Sequence, residues 1–441
     1  MKRLLFCALA ALALTPTVAA GGILPFDPTI ETLDNGLQVI LIPMPADGLV
    51  SYWTVVRTGA RDEVEEGRTG FAHFFEHMMF RGTEKYPAEV FNEKITLIGA
   101  NSNAYTSTDL TAYYATFAAK DLELVIDLES DRFQNLLFSE EVFKTEAGAV
   151  YGEYRKNRAS PFFTIYEALR GAAFSEHTYG HTPMGYVEDI KKMPEAFDYS
   201  KTFFQRFYRP ENCIVMIAGD FDVVKTLDLI KRYYGPWQSG YQAPAVPPEP
   251  EQTEEIRIDV PYPGSTLPMM WMAYKAPAYD PADPVQVASF VLAELGFGQT
   301  SDLYRQLVLE EQLVVSLSAS ASSSRDPGLF DIITRVKDPA KLGDVEAAID
   351  GAIAQFQSTP PSAEDVAKVR SRLKYSFLMG LDTPGNVAGG FASLLGVTGD
   401  LGSIDTFYAT LAEVTPEHVQ QAAEQYLQES RRTVATLQGD R

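Results

Sequence analysis

The stretch His73-Phe74-Phe75-Glu76-His77 puts two imidazoles four residues apart, with a carboxylate between them. On a helix, positions i and i+4 share a face with their Cβ atoms about 6 Å apart, so both rings can reach one zinc ion at about 2.0–2.1 Å. Glu76, three residues after His73, falls on the same side and can hold a metal-bound water without ligating the metal. Zinc pulls the pKa of such a water toward ~7, and an adjacent carboxylate can take its proton during attack on a carbonyl. This inverted order of ligands is a metallopeptidase signature. Two helical histidines can meet a glutamate by chance, but two of only five histidines in the chain fall in this pattern.

A catalytic zinc takes three protein ligands and keeps one position open. The best third donor is Glu153, in the helical stretch Thr145 to Tyr154. Glu146 lies seven residues earlier, so two turns place both carboxylates on one face. Charges spaced this way usually mark a solvated face, yet Ala147, Gly148, Ala149 and Gly152 are small enough to let the helix pack closely on another. His177 and His181 repeat the i, i+4 spacing, but Gly180 and Pro183 favour a loop, so packing or a substrate wall is expected there. His418, after Thr415-Pro416, is expected to be a solvated helical residue.

These residues need elements to carry them. Residues 237–254, rich in proline and acid, form a linker between two halves, 23–236 and 255–441. The first half reads as strands at 36–43 and 50–57, a helix at 70–80, a β-rich segment at 104–117, helices at 121–133 and 140–158, and a strand at 213–218. The second reads as strands at 255–260 and 268–275, a helix at 284–295 and strands at 314–321 and 328–336. Helices at 342–357 and from 363, and a strand at 433–438, close it. The fold class expected is α+β: two homologous mixed α/β-sandwich repeats, each an antiparallel-rich sheet packed by helices.

Residues 1–20 read as a signal peptide. Lys2 and Arg3 precede an apolar run, and Val18-Ala19-Ala20 suits cleavage near Ala20, implying a periplasmic or secreted protein. No later run approaches the roughly 20 apolar residues of a membrane span. Only Cys213 remains after cleavage; it lies in an apolar β-like run, which implies a buried structural thiol. The formal net charge of −22, with no offsetting basic stripe, argues against nucleic-acid binding.

HFFEH followed by Met78-Met79-Phe80-Arg81-Gly82-Thr83, then E-x-x-x-V-x-x-E from Glu146 to Glu153, resembles the insulinase/pitrilysin/mitochondrial-processing-peptidase family of inverted-zincin peptidases. The resemblance continues through residues 98–106, Asn135 to Phe138, His177 to Gly180 and Tyr208 to Asn212, and is strongest in the first half. It implies one zinc per chain bound by His73, His77 and Glu153, with Glu76 as general base and Glu146 supporting a ligand from behind. It also implies that Phe74 walls a substrate pocket. Asn103, Ala104, Tyr105 and Thr106 would present a sheet edge to which an extended peptide adds as a strand.

Many family members carry an arginine and a tyrosine in the second domain that hold substrate near the zinc; Val308 and Val315 stand at those positions here. The second half has no copy of the metal motif either. The expectation is therefore a zinc peptidase acting on unfolded proteins or oligopeptides, as the zinc-bearing subunit of a heterodimer whose homologous partner supplies the missing pair. A non-catalytic peptide-binding or assembly subunit is the alternative, although such members usually lose a zinc ligand and this chain keeps the set.

Overall fold

The computed structural model describes residues 22–440, so the signal peptide and its cut lie outside the described residues. Among the described residues, eleven strands form two sheets. The first contains β1 (Thr29–Thr32), β2 (Gln38–Pro43), β3 (Leu49–Val56), β4 (Asn101–Thr106), β5 (Thr111–Ala118) and β6 (Cys213–Gly219), in the order β1-β2-β6-β3-β5-β4. The second contains β7 (Ile256–Tyr262), β8 (Met269–Ala276), β9 (Val314–Ser320), β10 (Gly328–Val336) and β11 (Arg432–Gly439), in the order β7-β11-β8-β10-β9.

Without β1, the two orders superpose strand for strand. Each sheet has one parallel pair, β2 with β6 and β7 with β11, among antiparallel neighbours. Identical topology on either side of residues 237–254 is the signature of duplication. β3 is buried at every position after Leu49, because both of its faces are covered.

What covers them was not legible in the sequence. One face of the first sheet packs on helices of its own repeat. The other, with Trp53, Leu110 and Met216, receives Val387, Phe391 and Leu395 from the helix Pro384–Thr398 of the second repeat. In return, Ile165 and Leu169 of the first repeat's helix Pro161–Ala173 cover Trp271 and Leu437 of the second sheet. The repeats thus share cores. At Gly396 a Cβ would lie 2.2 Å from Leu110 Cδ2, so this helix can approach the sheet only with glycine there.

The linker has no regular structure but is docked at both ends. Trp237 is buried against the first core. Glu249 accepts the backbone N–H groups of Ser175, Glu176 and His177 at 2.9–3.1 Å, and Lys275 Nζ lies 3.4 Å away. Burial alone would raise the Glu249 pKa, but those N–H donors and Lys275 outweigh it and hold the carboxyl at about 2. A depressed folded pKa gives stability that is complete above the unfolded value of ~4.5 and is lost as pH falls toward 2. Glu249→Gln should therefore cost about 1–2 kcal/mol at pH 7, allowing for solvent screening. Urea denaturation should show that gap closing as pH falls from about 4.5 to about 2; a gap constant with pH would count against this assignment.

Cys213 is buried in β6, which pushes its thiol well up. His418 is not simply solvated: its Nδ1 accepts the Thr415 N–H at 3.3 Å and completes a capping box at the start of the helix Pro416–Tyr426.

Candidate metal centre

The helix Phe71–Met78 carries the motif. It starts from Gly70, whose φ of 88° puts it in the left-handed region, with the Met184 carbonyl too close for any side chain. Phe71, Phe74, Phe75 and Met78 turn into the first core, where Phe75 stacks on Phe203 at 5.3 Å between ring centroids. That anchoring leaves His73, Glu76 and His77 on the opposite face. Phe74 corrects an expectation. It is 0% exposed and packs edge-on to Phe143, so it belongs to the core and walls no pocket.

The helix Glu140–Asn157 runs alongside. It approaches through Phe143, Ala147 and Val150, while Gly148 and Ala149 face solvent, so of the small residues Ala147 lies on the packed face and those two do not. Glu153 Oε2 lies 3.6 Å from His73 Nε2 and 3.4 Å from His77 Nε2. The three ligand atoms fall within 4.8 Å of one another. Donors around a tetrahedral zinc with bonds near 2.1 Å are themselves about 3.4 Å apart. Two imidazoles and a carboxylate at this spacing therefore fit zinc. Among the described residues this is the one group of three such side chains found.

Behind the ligands lies a second tier. Glu146 Oε1 meets His77 Nδ1 at 2.9 Å, and its other oxygen pairs with Arg81. Burial works to raise the Glu146 carboxyl, but His77 and Arg81 outweigh it and hold it low. An ionised Glu146 accepts Nδ1–H and leaves His77 Nε2 free to ligate. Burial, with His77 nearby, lowers His73 to about 4, which keeps it in the neutral form a metal requires. Arg81 is a member of the site to which the sequence motif assigns no role. It lies four residues past His77, a spacing that could have flagged it.

Glu76 Oε2 accepts from Thr106 Oγ1 at 2.6 Å, and burial raises its pKa. Thr106 ends β4, which among the described residues pairs only with β5 and so leaves its other edge open beside the metal helix. The expected substrate residues thus divide. Thr106 holds Glu76, the Asn103 side chain accepts the Ala104 N–H at 2.9 Å, and Ala104 packs into the first core. Tyr105 turns its half-buried ring to the opposite face, edge-on to Trp53 beneath the second repeat's helix, while its main chain stays on the edge strand.

His177 and His181 bind no common partner. His177 Nε2 meets Asp326 of the second repeat at 3.0 Å, and His181 Nδ1 lies 2.9 Å from the Thr182 carbonyl. A cavity of about 580 Å³ at the seam between the repeats, lined by Tyr279, Phe377 and Tyr408, contains none of the metal-site residues. Val315 is an exposed position of β9, and Val308 is half-buried in the turn before it.

A family model described as insulinase (peptidase family M16) matches residues 38–185. One described as peptidase M16 inactive domain matches residues 197–373. Zinc protease PqqE of Helicobacter pylori is 26% identical over 413 residues, 92% of this chain and 91% of that protein. Mitochondrial-processing peptidase subunit beta of Bos taurus is 28% identical over 367 residues, 80% of this chain and 72% of that protein. The crystal structure of a protease from Helicobacter pylori superposes with a TM-score of 0.87 at 26% identity, covering 94% of this chain and 99% of that one.

Proposed function

The chain belongs to the insulinase family of peptidases, family M16, and on that premise we propose that it is a zinc endopeptidase of unfolded proteins or oligopeptides. The observation that carries the reading is the convergence of His73, His77 and Glu153 beside Glu76 and the open edge of β4. His73, His77 and Glu153 would hold the zinc. When bound, it supplies a Lewis acid for the scissile carbonyl and an acidified water. Glu76 takes the proton as the water attacks and returns it to the leaving amine. Thr106 keeps that carboxylate turned toward the site. Glu146, itself held by Arg81, fixes the tautomer and tilt of His77. The edge of β4 pairs with substrate main chain, a mode that tolerates many side chains.

Two finer readings follow. The signal-like residues 1–20 support a location outside the cytoplasm, in the periplasm or secreted; among the described residues no single helix is long and apolar enough to cross a membrane. Val308 and Val315, standing where relatives carry the substrate-holding pair, make this the zinc subunit of a two-chain enzyme. The matching mitochondrial peptidase chain is itself named as a subunit.

Metal analysis and digestion of a peptide library test the reading. One zinc per chain is expected, with cleavage that chelation abolishes and zinc restores. Adding a homologous chain that bears the arginine and tyrosine should raise the rate at least tenfold. An equal rate without that chain would remove the two-subunit reading, and a chain with no zinc and no cleavage would favour the peptide-binding alternative.

A further inference from the structure

The metal helix Phe71–Met78 is only eight residues long, and His73 stands in its first turn. Unlike His77, His73 has no hydrogen-bonded support: its Nδ1 is buried and lacks a partner among the described residues. The ring is therefore aimed by where the helix starts. Gly70 cannot cap that start with a side chain, so the first N–H groups need acceptors from elsewhere.

Glu63 supplies them. Its Oε2 accepts from Gly70 N–H at 2.7 Å and its Oε1 from Ala72 N–H at 2.6 Å, in a site where the side chain is 2% exposed. A buried carboxyl group that takes both N–H groups of the first turn fixes the position and the tilt of the helix.

The segment that delivers Glu63 is held by the second repeat. Asp326 Oδ2 accepts from Arg61 Nε at 2.6 Å and from His177 Nε2 at 3.0 Å. Arg325 donates to the Arg57 carbonyl at 2.9 Å and lies 3.7 Å from the buried Asp62 carboxylate. On its other side the same turn donates from Ala60 and Arg61 N–H to the carbonyls of Ser107 and Thr108, at 3.3 and 2.9 Å. Those residues directly follow Thr106, which holds Glu76. One short segment thus reaches the start of the metal helix and the anchor of the base, and the repeat without ligands grips it.

We propose that Glu63 is a positioning residue for the metal centre, held in register by Arg325 and Asp326 of the second repeat. This rests on the zinc reading above. It gives the second repeat, which carries none of the three ligands, a direct part in holding the site.

The test measures zinc release from the full-length chain into a chromogenic chelator, together with amide hydrogen exchange at residues 70–72. In Glu63→Gln, release should be about 10–100-fold faster, with faster exchange at those amides and a lower kcat at unchanged KM. Asp326→Asn leaves Glu63 in place and should speed release about three- to tenfold, a smaller effect for a partner one step further out. A merely structural role would lower the denaturation midpoint yet leave release from folded molecules unchanged, and that result in Glu63→Gln overturns the proposal. Unchanged release in Asp326→Asn removes the second repeat from it, and Asp326→Asn decides alone if Glu63→Gln does not fold. A wild-type chain that holds no zinc would instead sink the metal reading on which this one stands.

Discussion

Glu76→Gln is expected to bind zinc as the wild type does and to lose about 10²–10⁴ in kcat, the usual worth of a general base. At 1.36 kcal/mol per decade, that is about 3–5 kcal/mol of transition-state stabilisation. The geometry explains why the loss should fall on kcat. Glu76 is no ligand; Thr106 Oγ1 donates to it at 2.6 Å, and the amide can keep that hydrogen bond while losing its capacity to take a proton. Folding, metal content and KM should therefore change little. Stopped-time peptide assays with metal analysis of the same samples check it. A variant with full zinc and near-wild-type kcat would show that another group accepts the proton.

The second large effect separates a ligand from its support. Glu153→Ala removes one of three protein donors and should abolish stoichiometric zinc at micromolar concentration, and activity with it. Glu146→Gln leaves all three donors but weakens the acceptor behind His77 Nδ1 and the partner of Arg81. It should weaken zinc binding about 10–100-fold, and excess zinc should restore much of the activity. Competition against a chelator of known affinity distinguishes the two. Equal zinc affinity for Glu146→Gln and wild type would reduce Glu146 to a packing role, and rescue of Glu153→Ala by zinc would displace Glu153 as a ligand.

The same pair shows how much of the site could be read along the chain. A seven-residue interval puts Glu146 and Glu153 on one helical face, but which of them meets the metal depends on how that helix lies across the other. The packing of Ala147 and Phe143 against the motif helix brings Glu153 to both Nε2 atoms and leaves Glu146 at Nδ1. Phe74 departs from expectation for a related reason. Adjacency to functional residues does not say which way a side chain points, and Phe74 turns into the core.

The sequence by itself determined what local geometry determines. The i, i+4 spacing of His73 and His77, the alternation and apolar runs of most strands, and the proline-rich break between repeats each depend on a few neighbouring residues. Tertiary structure alone decided the rest. The helix Pro384–Thr398 is rich in glycine and apolar on every side, so no single stripe announces it; it forms because the first sheet covers it. Glu63 reads in sequence as one acid among several, and becomes an anchor only when folding buries it against two N–H groups. Asp326 lies 265 positions from its partner Arg61. No local period encodes a contact of that range, because what selects it is the need to pair every buried charge and donor once the repeats have closed on each other.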